Sequence, residues 1–190
     1  MVWNRLTNLK ALHLNSNKLL KGHHNIELVA EIFSTFTKIE VLWMHENSIS
    51  EDDFIVLCEV FSNYANLKHL NLSRNGLTAE SISTFRSHLV RGRFGSLKHL
   101  DMSFNRIGED GFETLLYSLM KSKHMRLKEF YLRGMTLDKE VHLPMVSTFI
   151  KSIMKPGFKK LNFKPNNLRK DVLNEFKDSL IDSYSSRLII

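Results

Sequence analysis

The sequence predicts an α/β solenoid, and three observations carry that prediction. The stretch LKHLNLSRNGLT, Leu67 to Thr78, returns as LKHLDMSFNRIG, Leu97 to Gly108. The same apolar pattern recurs in LKALHLNSNKL from Leu9, IEVLWMHENSI from Ile39, LKEFYLRGMTL from Leu127 and FKKLNFKPNNL from Phe158. The six starts are 30, 28, 30, 30 and 31 residues apart. A period of this size marks units that cannot bury their apolar faces alone and therefore stack on their neighbours.

Each unit has two halves. The first reads apolar-x-x-apolar-x-apolar-x-x-Asn-x-apolar, and its centre alternates like a strand with one buried face. Asn17, Asn47, Asn75, Asn105 and Asn166 stand where the chain leaves the strand. A short carboxamide there can satisfy backbone groups of adjacent coils. The second half is helical. Ser50 and Asp53 have the spacing of a capping box, followed by Phe54, Leu57 and Phe61 at helical intervals. Ile82, Phe85 and Leu89 repeat that stripe, as do Phe112, Leu115, Leu116 and Leu119, and Val172, Phe176 and Leu180 line the last helix. One unit departs from the pattern: in YLRGMTLDKEVHLPMV, Met135 takes the Asn position and Pro144 interrupts the expected helix. Proline is tolerated in a first helical turn, so the spacing predicts a longer loop and a helix starting near Pro144.

These six phrases resemble the leucine-rich repeat family over essentially the whole chain, and the long unit with a full helix resembles its ribonuclease-inhibitor-like subclass. The resemblance implies one array over residues 1–190, curved into a horseshoe with a parallel concave sheet and convex helices. Repeats start near 9, 39, 67, 97, 127 and 158, and counting onward predicts a truncated seventh at Leu188. Trp3 and Leu6 read as the tail of a preceding unit. Terminal repeats of solenoids need polar outer faces, so the chain is expected to be a segment of a longer array, with tolerated open ends the competing reading.

Composition narrows the function. Apolar residues (43%) and charged residues (25%) are those of an ordinary soluble protein. No apolar run approaches the roughly 20 residues that span a bilayer, and MVWNRLTNLK lacks the basic-then-apolar order of a secretory leader. Cys58 is the only cysteine, which rules out an intrachain disulfide and points to a reducing, intracellular setting. A net charge of +7 favours an acidic partner, although the basic residues are scattered along the chain.

Strand residues that face away from the core form columns. One column reads Lys10, Glu40, Lys68, Lys98, Lys128 and Lys159; a second reads His13, Trp43, Asn71, Asp101, Tyr131 and Asn162. A third reads Asn15, His45, Ser73, Ser103, Arg133 and Lys164, with Glu46, Arg74 and Phe104 beyond it. Trp43, Phe104 and Tyr131 are large aromatics that the core does not require, and Arg and His flank them, which is the composition of interface hot spots. The candidate partner-binding residues are therefore Trp43, His45, Arg74, Asp101, Phe104, Tyr131 and Arg133. The competing reading is that the aromatics merely cover one another.

His69 and His99 are expected side by side near Asp101 and Glu129, a set that could ligate a transition metal. Copying of the LKHL phrase explains the pair more simply, and neither metal nor cofactor is expected. No nucleophile–base pair or phosphate-binding Gly-rich loop is present, and Cys58 reads as a buried small apolar residue. An aromatic and basic face could bind single-stranded nucleic acid, but Glu40, Glu46, Asp101 and Glu129 share that face and would repel phosphate. The expected function is a non-catalytic scaffold that binds a protein on its strand face. Two alternatives stay open: a GTPase-activator-like regulator of a small GTPase, or the sensing array of a larger receptor.

Overall fold

Each apolar-x-x-apolar-x-apolar phrase folds into one short parallel strand, and the following segment returns along a helix to start the next strand. The structure, a computed structural model, describes residues 6–20, 25–122, 126–135, 143–153, 157–164, 166 and 188–189. Among them the strands are β1 (Ala11–His13), β2 (Val41–Trp43), β3 (His69–Asn71), β4 (His99–Asp101), β5 (Glu129–Tyr131), β6 (Lys160–Asn162) and β7 (Leu188–Ile189). The helices are α1 (Ile26–Ser34), α2 (Glu51–Ser62), α3 (Ala79–Val90), α4 (Gly108–Lys121) and α5 (Leu143–Ile153). The strands form one sheet in the order β1-β2-β3-β4-β5-β6-β7, every pair parallel. Strand order that follows chain order, with a helix in each of the first five connections where the chain is described, is the topology of a solenoid.

The register is that of the repeat. Leu12, Leu42, Leu70, Leu100, Phe130 and Leu161 align across the sheet. From Leu42 onward this column is essentially inaccessible to solvent. Met44, Leu72, Met102, Leu132 and Phe163, two residues further on, are equally buried. The predicted helical stripes meet them from the other side: Phe54, Leu57, Phe61, Ile82, Phe85, Leu89, Phe112, Leu115, Leu116 and Leu119 all lie in the core. Phenylalanine rings link successive coils, with Phe33 and Phe61 at 6.3 Å and Phe54 and Phe85 at 6.4 Å between centroids. Rings of this size fill the space between sheet and helices and dominate the apolar area removed from water.

Asparagines tie the coils together. The Asn75 Oδ1 accepts from the backbone N–H of Asn47 (3.0 Å) and Ile49 (3.2 Å), and its Nδ2 donates to the carbonyls of Met44 and Leu72. Asn105 repeats this for Asn75 and Leu77, and Asn47 accepts from Leu19. Asn166 accepts from the N–H of Met135. Each carboxamide thus satisfies donors in the preceding coil and carbonyls in both, with Asn47 and Asn105 fully buried and Asn75 and Asn166 half-buried. At Met135, which is fully buried, a thioether stands where a carboxamide would accept.

Ser50 and Asp53 form the predicted capping box at the start of α2. Thr78 and Ser81 form a second one at α3, which the sequence reading passed over. Helix α5 begins at Leu143, with Pro144 in its first turn as expected. Cys58 is buried in α2, and burial pushes its thiol far above the ordinary range. The last strand departs from simple counting. Leu188 pairs with Leu161, the fourth position of its motif, and does not open a motif itself. Twenty-seven residues separate these partners, fewer than any earlier interval in the register. The predicted helix of Val172, Phe176 and Leu180 lies outside the described residues, as does Trp3. No described helix is long and apolar enough to cross a membrane.

Candidate interaction surface

Period-two alternation aims every second strand residue away from the helices, and this builds the face on which the candidates sit. Trp43 is 41% exposed at the end of β2, and His13 of β1 stacks on it with centroids 4.2 Å apart and planes within 8°. Together they form a flat, solvent-facing platform.

The next aromatic cluster spans β3 to β5. His69 and His99 lie 5.3 Å apart, and His99 stacks on Tyr131 at 5.2 Å. The Tyr131 hydroxyl donates to Glu129 Oε2 (2.8 Å), and the same carboxylate lies 3.3 Å from His99 Nδ1. Burial, then the hydrogen bond to Glu129, raises the Tyr131 phenol to about 12. Burial, then the neighbouring His99, lowers the pKa of His69, so its neutral form is favoured. The adjacent imidazoles and Glu129 fall where the sequence placed them. No group of three His, Cys, Asp or Glu residues able to hold a metal occurs among the described residues.

Phe104 occupies the strand-exit edge. The Arg74 guanidinium lies 4.3 Å over its ring and Arg133 lies 5.4 Å from it. Arg74 also pairs with Glu46 at 3.6 Å, and Glu46 accepts from Ser16 at 2.8 Å. This ladder runs through the eighth position of successive motifs. Ser16, Glu46, Arg74, Phe104 and Gly134 all have φ between 53° and 59°. A left-handed residue at each strand exit was not read from the sequence, because four of the five are not glycine. Gly134 is the exception with a reason: a Cβ there would overlap the Phe104 ring.

Asp101 does not stand out from the face as expected. It is only 9% exposed, and its Oδ1 accepts from the Ser103 backbone N–H at 2.9 Å. Asn71 does the same for Ser73 and Asn162 for Lys164. These are Asx turns, which fold the side chain back onto its own backbone. Ser73 and Ser103 are buried with them, so the third column is not a continuous exposed row. Asp101 still reaches Arg133, 4.0 Å away, and orients it. His45 is half-buried, and its Nδ1 has no hydrogen-bond partner among the described residues. Trp43, Arg74, Phe104, Tyr131 and Arg133 therefore remain on the face, in three groups: Trp43 with His13, Tyr131 with His99, and Phe104 with the two arginines. The aromatics are covered by His and Arg neighbours and not by one another.

The strand-entry column completes the surface. Glu40 lies between Lys10 (3.3 Å) and Lys68, and hydrogen bonds from Lys68 and then Lys10 hold its carboxyl below the usual value of 4.5. Lys98, Lys128 and Lys159 follow on adjacent strands, joined by backbone hydrogen bonds from Lys128 N to Lys98 O and from Lys159 N to Lys128 O. They have no carboxylate partner among the described residues.

A parallel sheet with one strand and one helix per unit, closed by an asparagine relay, is the architecture of leucine-rich repeats. Residues 96–116 and 66–88 of the chain match two leucine-rich repeat family models. A transforming growth factor beta activator, LRRC33 of Danio rerio, is 38% identical over 78 residues, which are 41% of this chain and 10% of that protein. The match therefore spans about a tenth of the relative's length. Among solved structures, the tropomodulin C-terminal domain of Caenorhabditis elegans superimposes with a TM-score of 0.60 at 18% identity, over 80% of this chain and 88% of that one. Leiomodin-1 Actin-Binding Site 2 superimposes with a TM-score of 0.59 at 14% identity, over 94% of both. At these identities the two likenesses establish the fold.

Proposed function

We propose that this chain is a non-catalytic scaffold, one array of ribonuclease-inhibitor-like repeats that holds a protein partner on its strand face. The observation that carries the reading is the His13–Trp43 platform. A tryptophan 41% exposed at the end of a strand, stacked and held flat, is poor economy for folding and a good anchor for a partner. Phe104 between two arginines supplies a second anchor of the same kind. A reducing, intracellular setting fits the single buried cysteine.

The test compares proteins retained from source cells by the wild-type chain with those retained by Trp43→Ala and by the helix-side variant Tyr117→Ala. A specific partner is retained by wild type and Tyr117→Ala and lost from Trp43→Ala. Titration of that partner should then show a loss of about 2 kcal/mol or more for Trp43→Ala. Unchanged affinity, with circular dichroism intact, removes Trp43 from the site. Actin belongs among the purified proteins titrated, because one structural neighbour is named for an actin-binding site.

A further inference from the structure

The acidic residues of the strand face are all engaged within the chain. Glu40 is held by Lys10 and Lys68, Glu46 by Arg74 and Ser16, and Asp101 by Arg133 and its own turn. Glu129 is held by His99 and Tyr131. The basic residues are not. Lys98 is half-exposed and Lys128, Lys159 and Lys164 are exposed, and none pairs with a carboxylate among the described residues. Lys160 lies 5.2 Å over the Tyr131 ring, directly beside this group. All five stand on β4, β5 and β6 or one to two residues outside them, so the uncompensated positive charge is concentrated at one end of the face. Like charges on neighbouring strands repel and cost stability.

We propose that Lys98, Lys128, Lys159, Lys160 and Lys164 form a docking site for an acidic polypeptide segment, which crosses β4 to β6 and contacts Tyr131. The site rests on the scaffold reading and gives its partner a chemistry. Lys98, Lys128 and Lys159 recur at the strand spacing of about 4.8 Å. Carboxylates on one face of a helix recur about every 5.4 Å, so a helix laid across the strands meets each lysine within the reach of its flexible stem. An extended acidic strand, with same-side residues about 6.7 Å apart, matches the ladder less well. Phosphates would meet Glu129 and the Asp101 carboxylate at the centre of the same patch, whereas an acidic protein segment can place an apolar or donor group there. Charge complementarity of this kind steers encounter and selects the partner.

The probe is a fluorescein-labelled peptide with glutamates at helical i, i+4, i+7 spacing, titrated with the full chain and read by anisotropy. A single-stranded oligonucleotide of the same charge runs in parallel. The expected result is peptide binding that weakens with salt and falls about tenfold or more in the triple variant Lys98→Glu, Lys128→Glu, Lys159→Glu. Lys121→Glu on α4 leaves it unchanged, and the oligonucleotide binds more weakly than the peptide. The inference is overturned if the peptide does not bind at low salt, if Lys121→Glu weakens it equally, or if the oligonucleotide binds at least as tightly. Should the triple variant lose its circular dichroism signal, Lys128→Gln with Lys159→Gln removes two charges without adding carboxylates, and must still weaken the peptide. A Trp43-dependent partner that survives when the peptide fails overturns the acidic site alone. Absence of any Trp43-dependent partner overturns the scaffold reading independently.

Discussion

Between β1 and β3 the strand-entry column alternates in sign, Lys10, Glu40, Lys68, and the central carboxylate is held from both sides. Between β4 and β6 the same column reads Lys98, Lys128, Lys159, without a carboxylate partner among the described residues. The asparagine relay shows the same contrast. It runs without a gap through Asn47, Asn75 and Asn105, and Met135 interrupts it in the fifth unit. One half of the sheet pairs the charges of its entry column internally and keeps its relay of carboxamides complete. In the other, the three lysines have no carboxylate partner among the described residues, and a thioether takes the place of the relay carboxamide. A repeat protein is close to a sum of units and their interfaces, so such differences can persist locally without unfolding the array. The better-satisfied half is a stable base, and the less-satisfied half is where a ligand has most to gain.

The largest effect should come from breaking the relay where it is complete. Asn75→Ala orphans the N–H groups of Asn47 and Ile49 and three carbonyl contacts. Each buried group left unsatisfied costs about 1–3 kcal/mol, so the loss should reach about 3–5 kcal/mol in denaturant unfolding. In the other half, Met135→Ala opens a cavity worth about 2–5 kcal/mol. Met135→Asn should cost clearly less, because its carboxamide can accept from the preceding coil as Asn105 does. Equal losses for Met135→Ala and Met135→Asn would mean that the fifth unit has repacked around the thioether and no longer offers those donors.

That contrast also marks what could be read from the chain before folding. The repeat period, the strand and helix halves, the buried stripes and the relay asparagines were legible, because each depends on residue type at fixed spacing. The Ser50–Asp53 box was legible for the same reason, while Thr78–Ser81 was not, since serine is a weak marker at the third helical position. The turned-back Asp101 escaped because alternation gives only which side a residue faces. It does not reveal that an Asx side chain will bond the N–H two residues on. The signal was available: Asn71, Asp101 and Asn162 each stand at a strand end, whereas His13, Trp43 and Tyr131 cannot make that turn and stay on the face. The phase of Leu188 was misread because counting assumes a constant unit length, and only pairing with Leu161 fixes the register.

A smaller effect sits at the seam between the halves, where His69 of β3 meets His99 of β4. Burial and His99 lower the pKa of His69, with Lys68 and Lys98 adding to the shift and Glu129 opposing it. Burial also lowers that of His88, with Arg91 and Arg93 adding and Glu59 opposing. For a histidine whose folded pKa is depressed, the unfolded chain takes up the proton first, near its ordinary value of about 6.5. The stability is complete above that pH and is lost as pH falls toward the folded value. The melting temperature should therefore decline from about pH 7 to pH 5, and His69→Asn with His88→Asn should flatten that decline. A wild-type melting temperature that is level over this window would show that neither imidazole is held neutral by the fold.

The smallest effect is the most discriminating, because it should move stability and binding in opposite directions. Lys98→Glu extends the alternation of the first half into the second, placing a carboxylate between Lys68 and Lys128. Opposite charges on neighbouring strands contribute about 0.2–1 kcal/mol, and an exposed pair should lie at the low end of that range. Thermal unfolding at low salt should show a slight rise in melting temperature that vanishes as salt is added. The acidic peptide should bind more weakly to the same variant. Gain in one and loss in the other would mean that the lysine ladder is retained at a cost to the fold, as functional sites commonly are. If the melting temperature does not rise, solvent already screens the lysines from one another, and the two halves differ in the relay alone.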